Sequence, residues 1–369
     1  MLPVFLVLLL AVSSTAFRLP FEVHTAVTNI TKGGQTLEQT GLFYFVANLT
    51  IGTPGQLFTV IIDTTSADLL VPDLTCSQFT EDCTNQRRFN QTASTTYYKL
   101  GQTSTVTNSI GTFNGFAGKD WVVIGDRKTD LITIPNVKFL QCTKLPDQLK
   151  SVAADGVLGM GFTSISQIGG NSPFVQGVAQ GDISDTFFSI WLEHYNQTDD
   201  RGTHGVIYYG GLDPVHCLPD AQYYPLSSAT VYQATALTFK SVGASNTNSN
   251  SKPIQTVIST TSGYISAPTK YASAIFNSIG IDFNSIISWP AVVPCNTKIS
   301  LTFTFQGGVS VTITERDLVT DFLGQCILMV LPSTSSSSIE LGLPYLRGRC
   351  VYFDVVAQRI GIASAKLQS

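Results

Sequence analysis

Along the chain, short apolar runs rich in Val, Ile, Phe and Thr are interrupted every few residues by Gly, Pro, Asn or Ser. Runs at 43–51, 58–63, 121–124, 205–210, 298–305, 309–313 and 359–362 have the length and composition of strands, whose side chains alternate between two faces. The 3.6-residue period of an amphipathic helix is scarce, and its best instances, 172–179 and 270–279, are short. Two polar low-complexity stretches, 243–252 and 333–338, read as exposed loops. The pattern predicts an all-β protein.

An internal repeat adds symmetry. Ile61-Ile62-Asp63-Thr64-Thr65-Ser66 runs on to Pro72, and Val257-Ile258-Ser259-Thr260-Thr261-Ser262 runs on to Pro268, the proline standing nine residues after the third position in both. Each copy has a later element read as an apolar pair and a glycine, Val157-Leu158-Gly159 in the first and Glu340-Leu341-Gly342 in the second. Two β lobes with matched loops imply a pseudo-two-fold axis and a central cleft, and such clefts are favoured binding sites. A chain of 369 residues is long enough for two lobes with a sizeable core.

An apolar run from Leu2 to Val12, followed by Ser14-Thr15-Ala16 ahead of Phe17, reads as a cleaved secretory signal. A membrane anchor is the alternative, but the run is shorter than the ~20 apolar residues a spanning helix needs. No later stretch is long and apolar enough to span. All seven cysteines therefore meet an oxidising compartment, where their spacings read as disulfides. Asn29, Asn48, Asn90 and Asn196 each head an Asn-x-Thr sequon and are glycosylation acceptors if exposed. A net charge of −4 with no Lys/Arg cluster removes the drive to bind nucleic acid. Charged residues, at 12%, stand near half the usual ~25%, which argues against coiled coil and disorder.

Tyr44-Phe45 with Ile51-Gly52-Thr53-Pro54-Gly55-Gln56, Ile62-Asp63-Thr64 with Leu70-Val71-Pro72, Asp155-Gly156-Val157-Leu158-Gly159, Gly210-Gly211-Leu212-Asp213 and Arg359-Ile360-Gly361 resemble the pepsin-like aspartic peptidases, family A1. These segments follow the family order over residues 41 to 365, nearly the whole mature chain. The resemblance implies an all-β, bilobal acid protease fold with pseudo-two-fold related lobes and a central cleft. Its expected parts are a signal at 1–16, a short N-terminal segment at 17–40, an N-terminal lobe at 41–224 and a C-terminal lobe at 225–369.

The implied reaction is amide hydrolysis by a water held between two carboxylates, one from each lobe. Like charges about 3 Å apart cannot both ionise, so the pair shares one proton. The first position is Asp63, but the second is Ser259, whose hydroxyl stays neutral in acid and supplies no charge to share. A general acid–base step contributes roughly 10²- to 10⁴-fold, so the resemblance implies an inactive or severely impaired member. Thr65 and Thr261 stand where the family has glycine, and as β-branched residues they are expected to crowd the cleft floor beside Ser66 and Ser262. In the flap hairpin around Gly111, Asn108 takes the place of the family's tyrosine and Leu70 that of its tryptophan partner. Residues 17 to 40 carry only Arg18 and Lys32 as bases, unlike the basic prosegment of related zymogens.

Ser259 as a serine-hydrolase nucleophile lacks support, because His24, His194, His204 and His216 show no triad spacing, nor the spacing of a zinc site. They read as surface histidines. The resemblance implies no cofactor or metal, and disulfides Cys76–Cys83 and Cys295–Cys326, leaving Cys142, Cys217 and Cys350 with three possible pairings and one thiol over. The expectation is a secreted or endomembrane-lumenal monomeric glycoprotein, extracellular by preference. Its partner is an extended peptide or protein in the cleft, held without cutting. The alternative is an aspartic-type endopeptidase working at acid pH through an atypical site.

Overall fold

The structure, a computed structural model, describes residues 32–40, 44–76, 83, 85–125, 131–194, 204–322, 324–334 and 337–366. The expected signal, the start at Phe17, His24 and the sequons at Asn29 and Asn196 lie outside the described residues. Every predicted strand is present, and the two predicted helices are Pro173–Gln180 and Thr269–Ser278. Among the described residues no helix is long and apolar enough to cross a membrane. The chain is all-β and bilobal, as the repeat requires.

The repeat holds at the level of strand register. Strand Gln56–Asp63 runs parallel to Gly156–Gly159, with Ile61 opposite Val157, Ile62 opposite Leu158 and Asp63 opposite Gly159. In the second lobe Ile254–Ile258 runs parallel to Ser338–Leu341, with Val257 opposite Glu340 and Ile258 opposite Leu341. Glycine follows each Leu for a steric reason. A Cβ on Gly159 would sit 2.5 Å from the backbone of Ala67 and Asp68, and one on Gly342 would sit 2.2 Å from the Ser262 carbonyl oxygen.

A central sheet joins the lobes. Gly33–Thr40 pairs with His204–Tyr209, which pairs with Phe187–Leu192, then Arg349–Asp354, Arg359–Ser364 and Gln222–Ala229. Behind it, Phe188 stacks on Phe353 at 4.8 Å between ring centres, and the buried Tyr232 donates to the Met160 carbonyl at 2.8 Å. Such aromatic contacts add roughly 0.5–1.5 kcal/mol each beyond burial.

Three expectations change here. The segment 17–40 is not all prelude, because Gly33–Thr40 is a strand of the central sheet with Gln35 and Leu37 buried. The expected boundary at 224/225 falls inside Gln222–Ala229, which pairs with Arg359–Ser364 and also with Tyr232–Gly243. The stretch 243–252 contains strand Thr247–Asn250, paired with Tyr232–Gly243, its polar residues tolerated by their exposure. Likewise Ser333 ends strand Val330–Ser333 and Ser338 begins Ser338–Leu341.

Cys76–Cys83 and Cys295–Cys326 are bonded, and the pairing left open in the sequence is Cys217–Cys350. Cys142 is the free thiol; it is fully buried, and burial pushes its pKa up, so it is kept protonated and inert. A non-reducing peptide map is expected to give these three links, and iodoacetamide to label Cys142 only after unfolding. Replacing both Cys217 and Cys350 by Ser is expected to lower the denaturation midpoint more than replacing Cys76 and Cys83. The separations are 133 and 7 residues, and chain entropy assigns about 5 and about 2 kcal/mol to loops of those lengths. Equal shifts would show that loop length does not govern these bonds.

Candidate functional site

Two loops, one from each lobe, meet at the pseudo-two-fold axis. Thr260 Oγ1 donates to the Ile62 carbonyl at 2.6 Å and accepts from the Thr64 N–H at 3.1 Å. Thr64 Oγ1 reciprocates, donating to the Ile258 carbonyl at 3.0 Å and accepting from the Thr260 N–H at 3.1 Å. A hydroxyl that donates and accepts satisfies two buried backbone groups at once. Both threonines are essentially inaccessible to solvent, which makes these bonds hard for water to replace.

This network fixes Asp63 and Ser259 on the floor of the cleft, both 0% exposed. Asp63 Oδ1 accepts from the Thr65 N–H at 2.8 Å and the Thr65 hydroxyl at 2.6 Å. Asp63 Oδ2 is buried with no hydrogen-bond partner among the described residues. Ser259 Oγ lies 3.2 Å from Thr261 Oγ1. Thr65 and Thr261 therefore act as hydroxyl partners of the two central residues, where crowding was expected. Neither has a positive φ, so glycine is not required there. Ser66 is buried and its carbonyl accepts from Gly161, while Ser262 Oγ donates to the Tyr264 carbonyl at 3.1 Å.

The flap is the hairpin of Tyr98–Asn108 and Gly111–Ile124, with Asn108 opposite Gly111 and Ser109-Ile110 at its tip. Asn108 Oδ1 accepts from the N–H groups of Ile110 and Gly111 at 2.9 and 3.3 Å, so its side chain caps the turn. Ile110, 1% exposed, is the tip residue that joins Leu70, Leu145, Leu149 and Val157 in a buried apolar cluster. Ser109 Oγ hydrogen-bonds Thr261 Oγ1 across the cleft at 2.9 Å. Flap and floor are thus closed on each other.

A residue of the site that sequence reading misplaced is Glu340, taken there as one of an apolar pair. Its neighbours Ile339 and Leu341 are both 0% exposed in the core, so strand alternation turns Glu340 to the face shared by Val257 and Ser259. Burial pushes its carboxyl pKa above the ordinary glutamate range; the adjacent Ser259 hydroxyl pulls it down, and the charge of Asp63 raises it. The signal in the sequence was a charged residue at the repeat position of Val157.

His194 and His216 stand elsewhere, in half-buried pairings that correct their reading as surface groups. His194 Nδ1 is 2.8 Å from Asp317, and His216 is 2.7 Å from Asp213 while stacking on Trp191 at 4.1 Å. Asn48 is exposed on its strand; Asn90 is half-buried, and its Oδ1 accepts from the Thr92 N–H and hydroxyl at 3.1 and 2.7 Å.

Among known families, the profile described as eukaryotic aspartyl protease matches residues 44–365. The chain is 31% identical over 336 residues to aspartic protease 6 of Caenorhabditis elegans, covering 89% of this chain and 83% of that protein. It is 30% identical over 340 residues to pepsin A of Rhinolophus ferrumequinum, covering 89% and 83%. Gastricsin of Oryctolagus cuniculus is 29% identical over 329 residues, covering 87% and 81%.

Thr260→Val is expected to destabilise the fold by about 2–4 kcal/mol, because it leaves the Ile62 carbonyl and the Thr64 N–H buried and unpaired. The check is a urea titration, in which the midpoint should fall at constant slope. An unchanged midpoint would show that the interlobe network contributes nothing to stability.

Proposed function

Given that the chain belongs to the eukaryotic aspartyl protease family, we propose that it takes an extended peptide into the cleft beneath its flap, without the paired aspartates of the family. The observation that supports this most directly is that the interlobe threonine bonds and the Ser109–Thr261 contact between flap and floor are all formed although position 259 is a serine. A cleft that had lost all use has no need for a hairpin tip docked on its floor.

Binding requires the flap to lift. The Ser109–Thr261 hydrogen bond and the burial of Ile110 oppose this, so a ligand must supply contacts that replace them. An extended backbone can do so, because it offers N–H and C=O groups to both sides of the cleft and side chains to apolar pockets. The loss of the second aspartate removes the symmetrical proton-sharing pair, and any chemistry that remains rests on a different set of groups. Export to an oxidising compartment fits the three disulfides and the apolar leader.

Ser109→Ala is expected to tighten the binding of a fluorescent, reduced and carboxymethylated polypeptide by roughly 2- to 10-fold at neutral pH, the factor that corresponds to one internal hydrogen bond. Fluorescence anisotropy gives the affinity. Absence of saturable binding by both the parent and the variant would sink the reading.

A further inference from the structure

The pseudo-two-fold axis gives each central residue of one lobe a counterpart in the other, and besides Asp63 and Ser259 a further pair differs in kind. Val157 is 0% exposed and lies in the apolar cluster under the flap with Ile61 and Leu70. Its counterpart by register is Glu340. Glu340 is flanked by Val257 on one side and Ser266 on the other, both uncharged, and the charged group acting on it is Asp63 from the opposite lobe. An acid set half-buried between the core residues Ile339 and Leu341 is costly unless it is used.

Three facts meet at this point. Ser259 carries no carboxyl where the family has its second aspartate. Glu340 shares the face of Ser259 and interacts with its hydroxyl. Asp63 has one oxygen held by Thr65 and the other, Oδ2, buried and unpartnered. We infer that Glu340 replaces the lost aspartate, so that Asp63 and Glu340 form the acid–base pair of a peptide-hydrolysing centre, with Ser259 as a positioning residue between them. This deepens the reading of the cleft as a peptide-binding site and rests on it.

The step balances with water as the only co-reactant. Asp63, ionised, takes a proton from water as the water oxygen bonds to the peptide carbonyl carbon, and Glu340, protonated, gives its proton to the carbonyl oxygen. The product is a neutral gem-diol beside protonated Asp63 and ionised Glu340. On collapse the C–N bond breaks, the nitrogen takes the proton of Asp63, and a gem-diol hydroxyl returns a proton to Glu340. An acid and an amine leave, and both carboxyls are restored. Two groups in unequal surroundings suit this division better than two equal ones, and burial favours the protonated form of Glu340. Activity is therefore lost as pH rises through the raised Glu340 value.

The test uses the full chain, secreted from eukaryotic cells, with reduced and carboxymethylated albumin as substrate between pH 3 and 7 and mass spectrometry of the new termini. The parent is expected to cleave in acid. Glu340→Gln and Asp63→Asn should each lower the rate at least 100-fold while retaining peptide binding by anisotropy. Ser259→Ala should lose less, about 10-fold, and Glu340→Asp should recover part of the rate with its alkaline limb displaced. A second readout does not depend on turnover. The folded-state pKa of Glu340 is raised, so its contribution to stability is complete in acid and is lost as pH rises through that value. Glu340→Gln should consequently raise the melting temperature at pH 7 relative to the parent more than at pH 3. Cleavage unaffected by Glu340→Gln, or peptide binding by a parent that does not cleave, overturns the Glu340 assignment and leaves the binding reading standing. Absence of both binding and cleavage overturns the two together.

Discussion

Everything at the centre of this protein depends on two threonine hydroxyls that cross between lobes. Thr64 and Thr260 each satisfy a carbonyl and an amide of the opposite loop, so neither loop can shift without orphaning buried groups in the other. What they hold is a pair of backbone positions, and the side chains at those positions do not enter the network. Chemistry at residue 259 can therefore change while the geometry stays. The fold tolerates serine there because the scaffold never relied on the carboxylate.

Inside this symmetric frame the polar groups are arranged unequally. Asp63 has one oxygen occupied by Thr65 and one open, whereas Ser259 shares its hydroxyl with Thr261, which in turn holds the flap through Ser109. The acid withdrawn from residue 259 is matched by one a strand away, where the first lobe has Val157. The two carboxyls of this region, Asp63 and Glu340, thus stand at positions that the repeat does not relate. The two acids also differ in setting, one held by a threonine in its own loop and the other raised by burial.

The repeat made the first-order frame legible in the sequence, because parallel pairing of each central strand with its Leu-Gly element preserves the residue spacing that a reader can see. Strand runs and short helices were legible for the same local reason. What local pattern could not supply was any feature set by distant neighbours. The pairing of Cys217 with Cys350 spans 133 residues, and strand Gly33–Thr40 gains its partner, His204–Tyr209, only after the chain has returned. Polar Thr247–Asn250 is a strand because Tyr232–Gly243 offers it a ladder, not because its residues ask for one. Thr65 and Thr261 were read by bulk, while their hydroxyls decide their role. Glu340 was visible and passed over, since matching the two copies by outline hides a difference in charge.

Strand Gln222–Ala229 has a mechanical consequence. Its first half, residues 222–225, is bonded to Arg359–Ser364 in the central sheet and its second half, residues 226–229, to Tyr232–Gly243 in the second lobe, with a register shift between Leu226 and Ser228. A ladder resists sliding but yields at a bulge, where one residue is left out of the pairing and the strand bends. The crossing from one sheet to the other thus falls next to the bulge at residues 226 to 228, which makes this the weakest point of the ladder between the second lobe and the central sheet.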